Sequence, residues 1–496
     1  MSDTNDSAQL NWRDAALAGV VATVWFLLVR PGGFDLPFFW DEADVYVPGS
    51  RWVAENGLNV TPGVFPDDYS RGHPPLLYLL AGAAFALFGA TPTVAHLLIL
   101  PFGVIALAAT YGLGATLFCR RTGVAAALML GCTPLFMTMG NMLLPEMPLT
   151  TLAVVALFAF ARGRMGVVAL TGCAAVLIKE TGIFSAGAVG AALLYDAHRS
   201  GVLRTRESLR RIALALTPLF ALVLFFVWQR STAGYFIFPH HQGLFTDRPM
   251  TWANLITVVP SLFAWHGRWL VSVAALVAAV FLRRQTADSP RTSERWQPRR
   301  ASVYLAALLL VAFNWVFFAK MFWLERYALP AHPGLLVLLC GALFSLAKGN
   351  ARLAGASALV LGASVWGLYG MFGPAERDAE EHTFAYADVI ASHRGAIDSL
   401  TRDGGASSER FVVTTWPMSV ELRYPYLGYV DAEVRATEFQ YLSEGDHDAV
   451  THVVVNSASS QADRLVDFAR SQGLVRHAEF QTGDAPRLVV YARPER

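Results

Sequence analysis

The chain has 496 residues, 54% of them hydrophobic and only 16% charged, and its mean hydropathy is +0.40. A soluble domain carries roughly 25% charged residues, so the composition argues against a water-soluble globular protein and for an integral membrane one. The net charge of +1 gives no reason to invoke nucleic acid, and the four cysteines (Cys119, Cys132, Cys173 and Cys340) sit in or beside apolar runs as small core residues, with no disulfide framework or metal spacing.

Along the chain, the first apolar run, Ala15–Val29, lacks a small-residue cleavage site and reads as a retained first helix. Basic residues in short loops mark the cytoplasmic side. The clusters are Arg120–Arg121, Arg162/Arg164, Arg199–Arg211, Arg283–Arg300 and Lys348/Arg352. Placing all five inside gives spans near 13–30, 93–118, 122–140, 147–161, 165–179, 182–196, 211–229, 267–282, 301–318, 328–346 and 351–371. That is about eleven transmembrane helices in a cytoplasmic (plasma) membrane, with the N-terminus inside and the C-terminus outside.

The apolar segment 73–89 is the exception, because a crossing there would invert every later cluster. Its length after Pro75, about 14 residues, suits a re-entrant or interfacial helix. Residues 31–92 then form a first outer loop with juxtamembrane helices, and Pro48 is expected to kink one of them. The basic loop Arg283–Arg300 reads as a solvated connector.

After about Gly373 the composition turns polar and mixed. Strand-like runs at 410–416, 452–457 and 487–494, with a helical pattern at Gln461–Leu474, predict a small extracytoplasmic α/β domain. An amphipathic link, AERDAEEHTFAYADVIASH, leads into it. The expected fold is an α-helical polytopic membrane domain over 1–373 followed by this domain over 374–496.

Charged motifs gather on the outer side. PFFWDEADVYV sets Asp41, Glu42 and Asp44 among aromatics. They read either as caps of an interfacial helix or as a site whose burial and neighbours tune one acid into a general base. Asp41 and Glu42 would point about 100° apart on a helix, so one can face the site while the other holds backbone or a cation. His73 precedes Pro74–Pro75, and Glu146 lies between two prolines at the outer end of a span. A lone histidine is more often structural, and Glu146 can simply cap a helix from Pro148. With Asp41, though, the two make a set able to hold a divalent cation or a phosphate. Lys179 and Glu180 can pair with each other, and His240 and His241 occupy the longest outer loop. Lys320, Glu325 and Arg326 stand among Phe322, Trp323 and Tyr327, where snorkelling and an aromatic belt compete with phosphate recognition.

Taken in order, these motifs resemble the GT-C glycosyltransferases, in the branch of protein O-mannosyltransferases and the lipid A aminoarabinose transferase. The matching residues are Trp40-Asp41-Glu42-Ala43-x-x-Tyr46, His73-Pro74-Pro75-Leu76, Glu146-Met147-Pro148-Leu149, Lys179-Glu180-Thr181-Gly182 and Arg326-Tyr327-Ala328-Leu329-Pro330, within roughly residues 10–345. Glu146 stands where many relatives carry Asp, and Gly72-His73 stands where the aminoarabinose transferase resembles Glu-Lys.

The resemblance implies a hexosyl or pentosyl transferase moving sugar from a polyprenyl-phosphate donor to a hydroxyl or amine of a lipid, glycan or protein acceptor at the outer face. It implies Asp41 as base with Glu42 beside it, and a donor site drawn from Tyr46, His73, Lys179, His240, His241, Arg268, Lys320 and Arg326. Single displacement with inversion follows from one base without a second nucleophilic carboxylate. A divalent cation (Mg, Mn or Zn) on Asp41, Glu146 and His73 is a further expectation. The competing reading is a transporter or flippase of a lipid-linked saccharide, which usually shows internal symmetry and broken helices; the two halves here do not resemble each other. A sensor would leave the ordered motifs unexplained.

Overall fold

The computed structural model describes residues 12–30, 32–247, 249–282, 298–321, 324–347, 349–373, 382–401 and 410–494. Most of the basic connector, part of the link after Gly373, Phe322, Trp323 and Lys348 lie outside them. The chain forms two compact units, one of residues 1–29, 59–80 and 99–370, the other of 30–58, 81–98 and 371–496.

The first unit is helical. Helices Trp12–Leu28, Glu146–Ala161, Met165–Ile178, Ile183–Arg199, Arg206–Ala233, Arg268–Leu282, Arg300–Lys320 and Asn350–Met371 fall within a few residues of the expected spans. Pro92–Leu117, which begins in the second unit, does so too. Five described stretches are long and apolar enough to cross a membrane: Pro92–Leu117, Arg206–Ala233, Arg300–Lys320, Glu325–Leu346 and Asn350–Met371. The others are short. Glu146–Ala161 has 16 residues and so rises about 24 Å, against a hydrocarbon core of roughly 30 Å.

One expected span is corrected. The span expected at 122–140 is two helices, Arg120–Gly131 and Pro134–Met139, parted at Thr133, whose ψ is 119°. Proline lacks the N–H that would continue the helix and pushes the residue before it into extended backbone. At Pro48, where a kink is expected, the helix changes type. A π-helix, Glu42–Tyr46, leads into α-helix Val47–Glu55, and Pro48 sits in that helix's first turn, where a missing donor costs little. The segment after Pro75 forms the 13-residue helix Leu76–Phe88.

In the second unit, strands β1 (Phe411–Thr414), β2 (Arg435–Glu438), β3 (His452–Asn456), β4 (Val475–Phe480) and β5 (Leu488–Ala492) form one sheet in the order β2-β1-β3-β5-β4. β1 runs parallel to β2 and β3, whereas β5 is antiparallel to β3 and β4. Phe411, Val413, Val453 and Val455 bury one face of the sheet against Leu465 and Phe468 of helix Ala462–Ser471. The three runs read as strands are β1, β3 and β5. β2 and β4 carry no comparable apolar signal, because RATE and VRHAEF keep much of their surface exposed.

Candidate active site

In the first unit, a charged cluster is built at helix ends. Glu146 opens helix Glu146–Ala161, where the positive end of the dipole favours a carboxylate. Lys179 follows helix Met165–Ile178 in extended backbone (φ −158°, ψ 142°), at the end that favours a cation. Its Nζ donates to Glu146 Oε1 at 3.1 Å, and Arg326 Nε stands 3.9 Å from the same oxygen. All three residues are buried, with Glu146 only 2% exposed. Lys179 Nζ also lies 4.6 Å from the centre of the Tyr327 ring. A cavity of about 20 Å³, lined by Glu146, Lys179, Ser185, Asn314 and Tyr327 among others, has room for one water. Glu146 Oε2, buried, has no hydrogen-bond partner among the described residues.

The next residues continue the cluster. His73 Nδ1 is 2.9 Å from Glu180 Oε2, and the His241 ring centre is 5.0 Å from that of His73. Burial alone would raise the Glu180 carboxyl, but His73 and then Lys179 outweigh it and bring the group down to about 2. Burial, followed by the charge of His73, pushes His241 down to about 4, so its ring is neutral near pH 7. Tyr235 donates to Asp67 Oδ1 at 2.6 Å, and burial together with that carboxylate raises its phenol.

Two glycines let the chain turn here. Gly72 has φ +71°, and a Cβ on it would lie 2.7 Å from Cβ of Phe238. That is the physical reason an acidic side chain does not precede His73. Gly182 closes the Lys179 turn, where a Cβ would collide with the Ala175 backbone.

The remaining expected residues of this unit take other places. Arg268 is 4% exposed and donates to the Ser261 carbonyl, with Glu325 in electrostatic reach; its Nε and Nη1 have no hydrogen-bond partner among the described residues. Lys320 ends its helix half-buried, and His240 is exposed beside His241.

In the second unit, Asp41 stands at the N-terminal cap of the π-helix, half-buried. Single π turns occur frequently at functional sites. Glu42, only 1% exposed, is committed to holding the chain: Oε2 accepts from the Phe39 N–H, and Oε1 lies 3.3 Å from His96 Nε2. His96 in turn holds the Phe34 carbonyl through Nδ1 at 3.0 Å. Tyr46 is buried.

The expected metal set of Asp41, Glu146 and His73 draws on both compact units. Among the described residues no three His, Cys, Asp or Glu side chains gather to hold an ion, while Glu146 is engaged by Lys179 and His73 by Glu180. Sequence reasoning missed His96, whose apolar helix hides it, and Asn314, whose only signal is a polar residue inside a long apolar run.

The fold is that of the GT-C membrane glycosyltransferases. ArnT of Cupriavidus metallidurans, solved bound to undecaprenyl phosphate, is similar with a TM-score of 0.58 at 16% identity, over 98% of this chain and 98% of that one. The oligosaccharyltransferase of Archaeoglobus fulgidus, in a complex with Zn and sulfate, gives 0.52 at 14% identity over 96% and 73%. The mycobacterial arabinofuranosyltransferase AftD gives 0.51 at 15% identity over 99% of this chain and 40% of that one. Residues 72–229 match the model of the dolichyl-phosphate-mannose-protein mannosyltransferases. No curated protein sequence matches the chain.

Proposed function

We propose that this protein is a membrane glycosyltransferase that moves a sugar from a polyprenyl-phosphate donor to a hydroxyl or amine of a lipid, glycan or protein acceptor at the outer face of the cytoplasmic membrane. The observation that carries this reading is the convergence of buried Lys179 and Arg326 on one oxygen of Glu146, within a fold shared with a protein solved bound to undecaprenyl phosphate. Buried cations are costly unless anions match them. Here Lys179 and Arg326 meet on one oxygen of Glu146, and both would face a lipid phosphate bound beside them. Arg326 can fork two phosphate oxygens, while Lys179 acts as a point charge. Both would stabilise the phosphate as it leaves.

Asp41 is the proposed base, taking the proton from the acceptor as it attacks the anomeric carbon with inversion.

The test is transfer of labelled sugar from a polyprenyl-phosphate donor pool in membranes, comparing wild type, Asp41→Asn and Lys179→Gln at matched expression. Labelled product should fall at least about 100-fold in Asp41→Asn, while Lys179→Gln should lose transfer and weaken retention of the donor. Product at wild-type level in both variants would sink the reading. Movement of the lipid-linked sugar between leaflets without transfer would favour a flippase.

A further inference from the structure

The role of the C-terminal sheet domain is open in the reading above, and its contacts with the first motif supply one. The inference rests on Asp41 being the base. Trp40, the residue before Asp41, has φ +55°. That left-handed region is unfavourable for a bulky aromatic residue and persists only where the surroundings impose it.

The surroundings come from the C-terminal part of the same compact unit. The Phe38 N–H donates to the Leu427 carbonyl at 3.2 Å. Phe39, 1% exposed, stacks on Tyr386 at 6.2 Å and meets the edge of His393 at 6.4 Å. Trp40 packs edge-on against Trp416 at 4.5 Å, just beyond the end of β1. His393 is itself fixed, its Nδ1 lying 2.7 Å from Glu421 Oε2 with both side chains at most 2% exposed. Helix Met418–Arg423, which carries Glu421, packs on the π-helix that Asp41 caps.

We propose that Trp416, His393 and Tyr386 are positioning residues, which clamp Phe39 and Trp40 and so hold Asp41 in a backbone geometry the outer loop does not keep by itself. The sheet domain is then a seat for the catalytic loop. A purely structural role for the domain would not link its aromatic residues to the turnover step.

The experiment uses the full chain in detergent and in membranes, with Trp416→Ala, Trp416→Phe and His393→Gln. Amide hydrogen exchange is read at 38–44, with β3 and helix Glu146–Ala161 as references. Donor-dependent transfer rates are measured alongside. Trp416→Ala and His393→Gln should each speed exchange at 38–44 by about tenfold while the references hold. Both should lower kcat at an unchanged donor KM, and Trp416→Phe should retain most of what Trp416→Ala loses. If Trp416→Ala also loosens β3, His393→Gln decides. Wild-type exchange at 38–44 in both variants, or a loss confined to KM, overturns the proposal. Full activity in Asp41→Asn would instead remove the base reading, and the exchange measurement registers separately because it needs no turnover.

Discussion

Glu146 and Lys179 show how much a single buried pair carries. Removing one partner of a buried ion pair typically costs about 3–5 kcal/mol, because the other charge is left without compensation. Glu146→Gln is therefore expected to lower thermal stability in detergent clearly, and Glu146→Asp to lower it less; unchanged melting in Glu146→Gln would contradict the pairing. His241 gives the pH dependence. Its folded pKa of about 4 is below the ordinary value of 6.5, so the unfolded chain binds the proton first. The contribution of the neutral ring is present above pH 6.5 and is lost as pH falls from 6.5 towards 4. His241→Phe should flatten that part of the stability profile, measured by unfolding across pH 4–7. The facing groups His73, His240, Lys179 and Glu180 remain in the variant.

At the scale of elements, the tight turns decide what the helices can present. Gly72 combines φ +71° with close approach to Phe238, so Gly72→Ala should cost about 1–3 kcal/mol and displace His73 from Glu180. Loss of stability together with reduced transfer is expected, and a neutral result would refute the crowding. Most helices were legible from apolar runs bounded by charge, since lipid and core both select the same residues. What escaped were breaks and irregular turns. Thr133 ends one helix through the proline that follows, a local effect that the surrounding hydrophobicity masks. The π turn at Glu42–Tyr46 leaves no mark in composition, because it is set by what Glu42 and Trp40 pack against.

For the whole molecule, the compact units do not follow the order of the chain. Residues 30–58 and 81–98 are grouped with 371–496, far away in sequence. Cutting the chain after Gly373 should therefore expose Phe39, whose burial is worth about 1.5–3 kcal/mol. Limited proteolysis is expected to cleave within 37–47 in the truncated chain and not in the full one; equal protection would show that the loop stands alone. The sequence by itself determined the membrane character, most helix positions, three of the strands and the order of the charged motifs, because hydrophobicity, proline and charge act locally. Only the tertiary structure decided that Lys179 and Arg326 share Glu146, that Glu42 holds Phe39 and His96, and that Trp416 meets Trp40. Apart from Glu42 with Phe39, three positions apart, those pairings join residues tens to hundreds of positions apart, and burial makes them necessary: each buried charge needs a partner and each buried ring a surface, and the fold determines which ones lie within reach.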